Sequence, residues 1–384
     1  MFGKFLLNYM PGLQNLLAYD KSWLKHDVKA GLSVAAVALP VAIAYAELAG
    51  VGAIVGLYSC VLPMIAYALF GSSRQLIVGP DATTCAVIAA VVFPLSAGNP
   101  ELHWQLTIVM TLMMGGWCLL ASKFRLGALA DLLSHPILTG LLNGVAVTII
   151  VGQLGKVLGI KLDEAQVIEK IIALPGRISD SHLLTFGISI LTLAILMAIK
   201  TFRSHWPAPL IAIVITTFLV WGTSAQQYGI ATIGGEGFQP GLPVVNWGAF
   251  QPGPMRDLVI PALNLALVSF VSLMLTARSF AAKNGYEINA DAEFRALGIA
   301  NIMSGLSQGF AISGADSRTA VNDSTGGKSQ LVSIVAALLI GVVLLFFTHP
   351  LQFIPVSALG IVLMYASWSL IDLRGLWNLR RRNK

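Results

Sequence analysis

The stretches VGPDATT, residues 78–84, and SGADSRT, residues 313–319, decide the fold of this chain. Both place a glycine ahead of an aspartate and of hydroxyl side chains. Both also begin segments that are too short or too interrupted to cross a bilayer alone. Each stretch lies two apolar segments beyond the start of its half of the chain. Because the pattern returns at a matching position, the two halves are predicted to be repeats.

Composition assigns the chain to the membrane proteins. Only 11% of its 384 residues are charged and 56% are hydrophobic, whereas a soluble domain carries about 25% charged residues. A bilayer core about 30 Å thick requires about 20 apolar residues per helix. We therefore predict an all-α polytopic membrane protein with about twelve segments, near residues 30–48, 54–70, 82–97, 104–122, 133–158, 183–201, 207–224, 257–279, 293–311, 316–327, 330–348 and 355–372.

Basic residues flank the apolar part of the chain. Three lysines precede the first segment within residues 21–29, and an arginine-rich cluster occupies residues 380–384. Positively charged flanks favour the cytoplasmic side, so both termini are expected there, which requires an even number of crossings. The net charge of +6 is explained by this bias and does not point to nucleic acid.

A proline-rich linker, residues 225–256, divides the chain into unequal halves. Residues 1–29 are expected to form a cytoplasmic, amphipathic N-terminal segment. At about 20 residues per helix, the first repeat, residues 30–224, holds about seven segments. The second repeat, residues 257–384, holds about five, so it is expected to be incomplete.

Two short helices that begin inside a membrane are expected to form an anion site. The first turn of a helix leaves backbone N–H groups unpaired, and its dipole places about half a positive charge there. Two such N-termini facing each other would bind an oxyanion without many formal charges. Gly79 and Gly314 would allow a sharp entry into each helix, and Pro80 would preset a first turn. The hydroxyl donors would be Thr83, Thr84, Ser317 and Thr319.

The charged residues of the two stretches each allow two roles. Arg318 would either form a structural pair with Asp316 or Asp323, or add its charge to the anion field, and the two roles can coexist. Asp81 and Asp316 would cap their helices or act as a coupling carboxylate that takes up a proton or binds a co-transported cation. Glu47, near the end of the first segment, is expected to lie in a wet mouth.

Further motifs resemble a known family. The first segment carries paired residues that are typical of it: Gly31-Leu32, Leu39-Pro40, Ala44-Tyr45 and Ala49-Gly50. They are followed by FGSSRQLIVGPDA at residues 70–82 and by SGADSRTAVNDSTGGKSQL at residues 313–331. Over essentially its whole length, the chain resembles the SulP anion transporters, the bacterial relatives of the SLC26 carriers.

The resemblance implies seven plus seven inverted transmembrane segments in a bacterial cytoplasmic (inner) membrane. They would form a core domain and a gate domain that move against each other by an elevator or rocking motion. The substrate would sit between the first, third, eighth and tenth segments. Carried over by motif, its lining would comprise Tyr45, Asp81, Ala82, Thr83, Ala315, Asp316, Ser317 and Arg318. Further lining or coupling residues would be Glu47, Thr84 and Ser272.

The chain departs from this family's pattern in three places. Ser272 stands where many proton-coupled members carry an acidic residue, and Val41 stands where Gln often occurs. The last two segments and the cytoplasmic STAS domain of many members are expected to be missing. The gate would then be short of two helices, and small residues such as Gly360 and Ala366 would lack packing partners.

The resulting expectation is a secondary transporter of small inorganic anions, with sulfate foremost. A bicarbonate or C4-dicarboxylate carrier, or a truncated remnant that binds anion without transporting it, remains the alternative. A coupling proton or sodium ion could take part, and a homodimer is not assumed. No protease or Ser/His pattern indicates an enzyme. Because Cys60, Cys85 and Cys118 lack metal-ligand spacing, no metal or cofactor is expected.

Overall fold

A computed structural model of the chain describes residues 9–127, 135–160, 162, 167–202, 206–234, 241–242, 255–368 and 371. The chain divides into two compact units. Unit 1 comprises Met1–Leu133 and Gly241–Leu345, and unit 2 comprises Ser134–Pro240 and Phe346–Lys384. Each half of the sequence therefore contributes to both units, so the units are not the two predicted repeats.

Unit 1 contains nine of the helices that the structure describes and both short strands. In chain order, its elements are α1 Pro11–Leu17, α2 Leu24–Leu48, α3 Ala53–Phe70, β1 Val78–Gly79, α4 Ala82–Ser96, α5 Pro100–Lys123, α10 Met255–Asn284, α11 Ala290–Leu306, β2 Ser313–Gly314, α12 Asp316–Thr325 and α13 Leu331–Phe346. The elements of unit 2 are α6 His135–Leu158, α7 Val167–Arg177, α8 Leu183–Phe202, α9 Ala208–Gly222, α14 Thr348–Leu351 and α15 Val356–Trp368.

The apolar segments predicted from the sequence coincide with helices throughout the described residues. Five helices are long and apolar enough to cross a membrane: Lys21–Leu48, Ala53–Phe70, Pro100–Lys123, Leu183–Phe202 and Met255–Asn284. The two helices that follow the strands are shorter, with 15 residues in α4 and 10 in α12. At 1.5 Å per residue, α12 is about 15 Å long, about half the bilayer core. The expectation of interrupted segments at these two positions is confirmed.

The two strands join the two halves of the sequence inside unit 1. They pair antiparallel, with Val78 opposite Gly314 and Gly79 opposite Ser313. Sequence analysis did not predict this pairing, because two residues per strand give no periodic signal. The pairing fixes where α4 and α12 begin relative to each other.

Close packing of glycines holds α5 and α11 together in unit 1. A Cβ atom added to Gly115 would lie 2.8 Å from the carbonyl oxygen of Gly298, and one added to Gly298 would lie 2.9 Å from that of Gly115. Small residues at membrane helix interfaces allow backbones to approach closely, because dispersion contacts drive the association. The approach is tight enough to exclude any side chain at either position.

A small residue also fills a helix interface in unit 2, where α15 packs on α6 and α8. A Cβ atom on Gly360 would lie 3.4 Å from Val157 Cγ2 and 3.5 Å from Gln153 Oε1. The expectation that Gly360 lacks a packing partner is therefore wrong, because α6 covers it. Ala366 is not without a partner either.

The reciprocal glycine contact predicts different effects at two neighbouring positions of α5. Gly115→Ala should lower the free energy of unfolding by about 1–3 kcal/mol, because the added methyl group overpacks the interface. Gly116→Ala is the matched control, since a Cβ atom there meets nothing within 4 Å, and alanine favours the helix. Thermal unfolding in detergent compares the two variants. Equal melting temperatures would show that the interface can separate without loss.

Candidate functional site

The starts of α4 and α12 lie side by side because the β1–β2 pairing joins the residues just before them. The pairing extends beyond the strands, since the backbone amide of Ala315 donates to the carbonyl oxygen of Ile77 at 2.8 Å. Helices α2 and α10 complete the surroundings, because α2 packs on α4 and α12 and α10 packs on β2 and on both short helices. The first, third, eighth and tenth segments therefore meet, as the resemblance implied.

Helix α4 begins with a side-chain cap. Asp81 has extended backbone angles, and its carboxylate accepts a hydrogen bond from the amide of Thr84 at 3.2 Å. The hydroxyl of Thr84 also donates to this carboxylate. Asp81 is thus the N-cap of α4, as predicted. Its carboxylate neutralises part of the positive end of the helix. Pro80 lies before the cap, so the expectation that it presets a first turn is wrong.

Helix α12 begins without a side-chain cap. Its N-cap residue is Ala315, whose carbonyl oxygen accepts the first helical hydrogen bond, from Thr319 at 2.9 Å. Asp316 is already inside the helix, and its carboxylate accepts from the hydroxyl of Thr276 on α10. The expectation that Asp316 caps its helix is therefore wrong. The unpaired N–H groups of α12 receive no side-chain acceptor from α12 itself, and Asp316 and Ser317 are exposed.

Arg318 is buried between the two half helices, with 1% of its surface exposed. Its guanidinium donates from Nη2 to the carbonyl oxygen of Pro80, and Nη1 lies 4.0 Å from Cys60 Sγ. Its Nε has no hydrogen-bond partner in the described part of the chain. Unpaired buried donors are rare in native proteins and call for an explanation such as a ligand or an ion.

The alternative partners considered for Arg318 are bound elsewhere. Asp323 accepts from Lys283 at 2.5 Å and from Asn284 at 2.7 Å, and Asp316 accepts from Thr276. Neither carboxylate is a hydrogen-bond partner of Arg318 among the described residues. The guanidinium of Arg318 is therefore held by neutral groups among the described residues.

The remaining predicted residues fall into two groups. Tyr45 on α2 is buried, and α2 packs on both α4 and α12. Residues buried at the starts of the short helices are Ala82, Thr83, Thr84 and Ala315. Ser272 and Glu47 are half-buried on α10 and α2, and Ser272 contributes its carbonyl oxygen, 3.2 Å from the hydroxyl of Thr276.

Only half of the predicted hydroxyl donors remain available. Thr84 donates to Asp81, and Thr319 donates to the carbonyl oxygen of Ala315 at 2.8 Å. Thr83 and Ser317 make no hydrogen bond to the described residues, so their hydroxyl groups can bind a ligand. One hydroxyl therefore comes from each half helix.

The site is electrostatically uneven. Asp81 and Asp316 carry negative charges and Arg318 carries a positive one, while each helix N-terminus adds about half a positive charge. Asp81 caps the start of α4, and Asp316 places a second negative charge in the first turn of α12. The positive charge of the arrangement therefore comes from Arg318 and from the N–H groups of α12 that no side chain caps. These N–H groups, the hydroxyl of Ser317 and the buried guanidinium lie on one short helix.

Sequence reasoning missed two residues of this site. Thr276 binds Asp316, and Cys60 on α3 lies beside the guanidinium. Thr276 follows Ser272 by four residues, so the two share a helix face, and this spacing could have identified it. The contact of Cys60 with Arg318 spans 258 positions of the sequence, and no local pattern could have indicated it.

Comparison with known proteins gives the family. The model of the "Sulfate permease family" matches residues 24–384. The chain belongs to the sulfate permease family. The resemblance seen in the sequence motifs is thereby confirmed, and the family agrees with a membrane transporter rather than an enzyme.

Curated relatives of this family member are longer than the chain. A "Probable sulfate transporter" of Mycobacterium tuberculosis (strain ATCC 25618 / H37Rv) is 39% identical over 97% of the chain and 66% of the relative. "Probable sulfate transporter 3.3" of Arabidopsis thaliana is 31% identical over 94% of the chain and 59% of the relative. The chain thus spans less than two thirds of the length of these relatives.

Solved structures of similar fold confirm the all-α transporter architecture. Murine Slc26a9, an anion transporter solved in the inward-facing state, matches with a TM-score of 0.91 at 21% identity, over 99% of the chain and 66% of its own. The transmembrane domain of BicA, a cyanobacterial bicarbonate transporter, matches with a TM-score of 0.83 at 26% identity, over 92% and 91%. Together with the apolar helices, these matches identify the sulfate permease family member as a multi-pass membrane protein.

The contact between Gly79 and Arg318 predicts the effect of a single methyl group. A Cβ atom on Gly79 would lie 3.2 Å from Cζ of Arg318 and closer still to Nη1. Gly79→Ala should therefore displace the guanidinium and weaken anion binding about tenfold, or about 1.4 kcal/mol. Gly52→Ala is the control, because its added Cβ meets only Val55 Cγ2, at 3.9 Å. Equilibrium sulfate binding to both purified variants gives the comparison, and unchanged affinity of Gly79→Ala would contradict this geometry.

Proposed function

We propose that this chain forms the membrane part of a secondary transporter of small inorganic anions, with sulfate as the foremost substrate. The observation that carries the proposal is the buried guanidinium of Arg318, whose Nε has no partner in the described residues. It lies in the first turn of a helix that begins without a side-chain cap. A guanidinium and free backbone N–H groups are the donors that bind oxyanions in proteins.

The donor arrangement favours a compact oxyanion. The N–H groups of the first turn of α12 point toward its N-terminus, where Ser317 offers a hydroxyl group. Thr83 offers a second hydroxyl at the start of α4, and Tyr45 lies on α2, which packs on both short helices. A tetrahedral anion presents oxygen atoms in several directions, which suits donors that come from more than one helix.

The relatives favour sulfate within this class. The mycobacterial and plant relatives are named as sulfate transporters, at 39% and 31% identity. The bicarbonate transporter BicA is similar at 26% identity. Bicarbonate or a C4-dicarboxylate is therefore the second candidate, and competition experiments decide between them.

The two units support a transport mechanism in which one body carries the site. Every site residue belongs to unit 1, which corresponds to a core domain, while unit 2 corresponds to a gate domain. Alternating access would follow from movement of the core against the gate by an elevator or rocking motion. The basic flanks of the sequence favour a cytoplasmic location of both termini in a bacterial inner membrane. A homodimer is not required by this scheme.

The direct test is uptake of radiolabelled sulfate into proteoliposomes that contain the purified chain. We expect more labelled sulfate to accumulate in these vesicles than in protein-free vesicles. Unlabelled sulfate should reduce this uptake more strongly than bicarbonate, chloride or succinate does. Stronger competition by bicarbonate or succinate would replace sulfate with the second candidate. Binding of sulfate without uptake would indicate an anion-binding protein that does not transport.

Arg318 gives a prediction that separates binding from stability. Arg318→Ala should weaken sulfate binding by about 10- to 100-fold, which corresponds to the loss of a charge-assisted hydrogen bond of about 1.5–3 kcal/mol. Arg318→Lys should retain part of the affinity, because it keeps the charge and loses the planar fork. Thermal unfolding and sulfate affinity are measured on the same sample. A lower melting temperature with normal affinity would assign Arg318 a structural role instead.

Asp316 is the carboxylate best placed to couple transport to a proton or sodium ion. It is exposed, it contacts α10 through Thr276, and it lies two residues before Arg318. Asp81 is engaged as the cap of α4, and Ser272 supplies no carboxylate. Coupling through Glu47, on the end of α2, is the alternative.

Asp316→Asn should therefore abolish the stimulation of sulfate uptake by an imposed proton or sodium gradient. Exchange of internal for external sulfate should persist, because the amide can still accept from Thr276. Glu287→Gln, which changes an exposed carboxylate of the α10–α11 connection, is the control for charge. If gradient-driven uptake survives in Asp316→Asn and is lost in Glu47→Gln, the coupling group is Glu47.

A further inference from the structure

Among the described residues of unit 1, two carboxylates are fully buried outside the candidate anion site. Asp27 on α2 and Glu293 on α11 each have 0% of their surface exposed. A buried carboxylate is costly unless donors surround it, and no step of anion binding uses either group. The hydrogen bonds of the two carboxylates identify the connecting segments that they fix.

Glu293 binds the connection between α3 and β1. Its Oε1 accepts from the amide of Ser72 at 2.8 Å, the hydroxyl of Ser72 at 2.7 Å and the amide of Ser73 at 3.0 Å. Its Oε2 accepts from the hydroxyl of Tyr67 at 2.6 Å. Arg295, the nearest cation along α11, instead donates to the carbonyl oxygen of Tyr9. Glu293 is therefore a charge satisfied by neutral donors, all of them from the first half of the sequence.

The segment that Glu293 holds has no regular structure of its own. Residues 71–77 run from the end of α3 to β1, and side chains of the second half bond their backbone. Gln330 donates to the carbonyl oxygens of Ser73 and Leu76, both at 2.8 Å. Asn322 donates to the carbonyl oxygen of Gln75 at 2.7 Å. The hydroxyl of Thr319 accepts from the amide of Ile77 at 3.0 Å.

This segment leads directly to the contact that holds Arg318. Only β1 lies between Ile77 and Pro80, and the carbonyl oxygen of Pro80 is the acceptor for the guanidinium. The position of that oxygen is therefore set by where residues 71–77 are fixed. Glu293 is the charged anchor of the segment, and charge-assisted hydrogen bonds are about twice as strong as neutral ones.

Asp27 binds the turn that follows α12. Its carboxylate accepts from the amide of Lys328 at 2.6 Å and from the hydroxyl of Ser329 at 2.6 Å. These residues follow α12 and directly precede Gln330. Asp27 thus anchors the turn after α12, and Gln330 links that turn to the segment anchored by Glu293.

We propose that Glu293 is a positioning residue for the anion, which acts by fixing residues 71–77 so that Pro80 holds the guanidinium of Arg318 in place, with Asp27 as its counterpart beyond α12. The proposal rests on the proposed function only in taking Arg318 as the anion-binding group. It assigns to Glu293 an effect on anion affinity although Glu293 lies outside the anion site.

The effect of Glu293 on sulfate affinity should depend on the presence of Arg318, and a double-mutant cycle measures this dependence. Glu293→Gln keeps the volume and one acceptor oxygen, and the hydroxyl of Tyr67 can rotate to accept from the new amide. We expect this variant to fold and to bind sulfate about tenfold more weakly. In the Arg318→Ala background the same substitution should change affinity by less than about twofold, because no guanidinium remains to be positioned.

A second readout does not depend on sulfate. Cys60 is 0% exposed and lies 4.0 Å from Nη1 of Arg318. In a chain carrying Cys85→Ala and Cys118→Ala, labelling of Cys60 by N-ethylmaleimide should be slow. Glu293→Gln should accelerate it at least threefold, because a displaced guanidinium uncovers the thiol.

The controls separate positioning from general destabilisation. Glu287→Gln removes an exposed carboxylate six positions away and should leave affinity and labelling unchanged. Tyr67→Phe removes one of the four hydrogen-bond donors to Glu293. It should change sulfate affinity and Cys60 labelling in the same direction as Glu293→Gln, but by less. If Glu293→Gln does not fold, Tyr67→Phe takes its place in the test. Additive effects of Glu293→Gln and Arg318→Ala on affinity, or unchanged Cys60 labelling in both Glu293→Gln and Tyr67→Phe, would overturn the proposal. If the parent chain binds no sulfate at all, the proposed function fails, while the labelling comparison still tests the positioning.

Discussion

The constraint on which this structure depends is that a backbone inside a membrane has no water with which to bond. Helices satisfy that demand internally, but the chain is not helical in the segments before β1 and before β2. At the second break, Asn301 binds both backbone groups of Ile312, accepting from the amide at 2.9 Å and donating to the carbonyl oxygen at 3.1 Å. Ser59 accepts from the amide of Phe310 at 2.8 Å. The non-helical backbone is thus satisfied by side chains, several of which come from the opposite half of the sequence.

The two breaks are satisfied by groups of different character. Neutral hydroxyl and amide groups hold the segment before β2, whereas the segment before β1 is held by the carboxylate of Glu293 as well as by neutral groups. The starts of the helices that follow differ as well, since Asp81 caps α4 and no side chain caps α12. The two short helices therefore begin in similar surroundings but differ in capping, and only the start of α12 is left without a side-chain cap.

Local sequence signals predicted the elements of the fold, but not the contacts among the candidate site residues. Apolar segments, the repeated motif and the family resemblance predicted the helices and assigned Tyr45, Asp81 and Arg318 to one candidate site. The sequence predicted Asp316 as the N-cap of α12, whereas the N-cap is Ala315. This difference was not predicted, because the residue at which α12 begins depends on the β1–β2 pairing. The partners of Arg318 were not predicted for the same reason, since Pro80 and Cys60 are distant in sequence. Asp27 and Glu293 gave no signal, because an acidic residue near the start of an apolar segment is ordinarily exposed.

The antiparallel pairing of β1 with β2 also has a consequence for biogenesis. The amide of Ile77 bonds to a side chain 242 positions further along the chain, and synthesis proceeds from the N-terminus. When α3 and α4 leave the ribosome, the groups that will satisfy residues 71–77 have not yet been made. This part of the first half must therefore stay in a wet or assisted environment until α11, α12 and the turn with Gln330 are inserted. The second half of the chain thus serves as the template on which the first completes its fold, and the paired starts of α4 and α12 cannot form before that half is made.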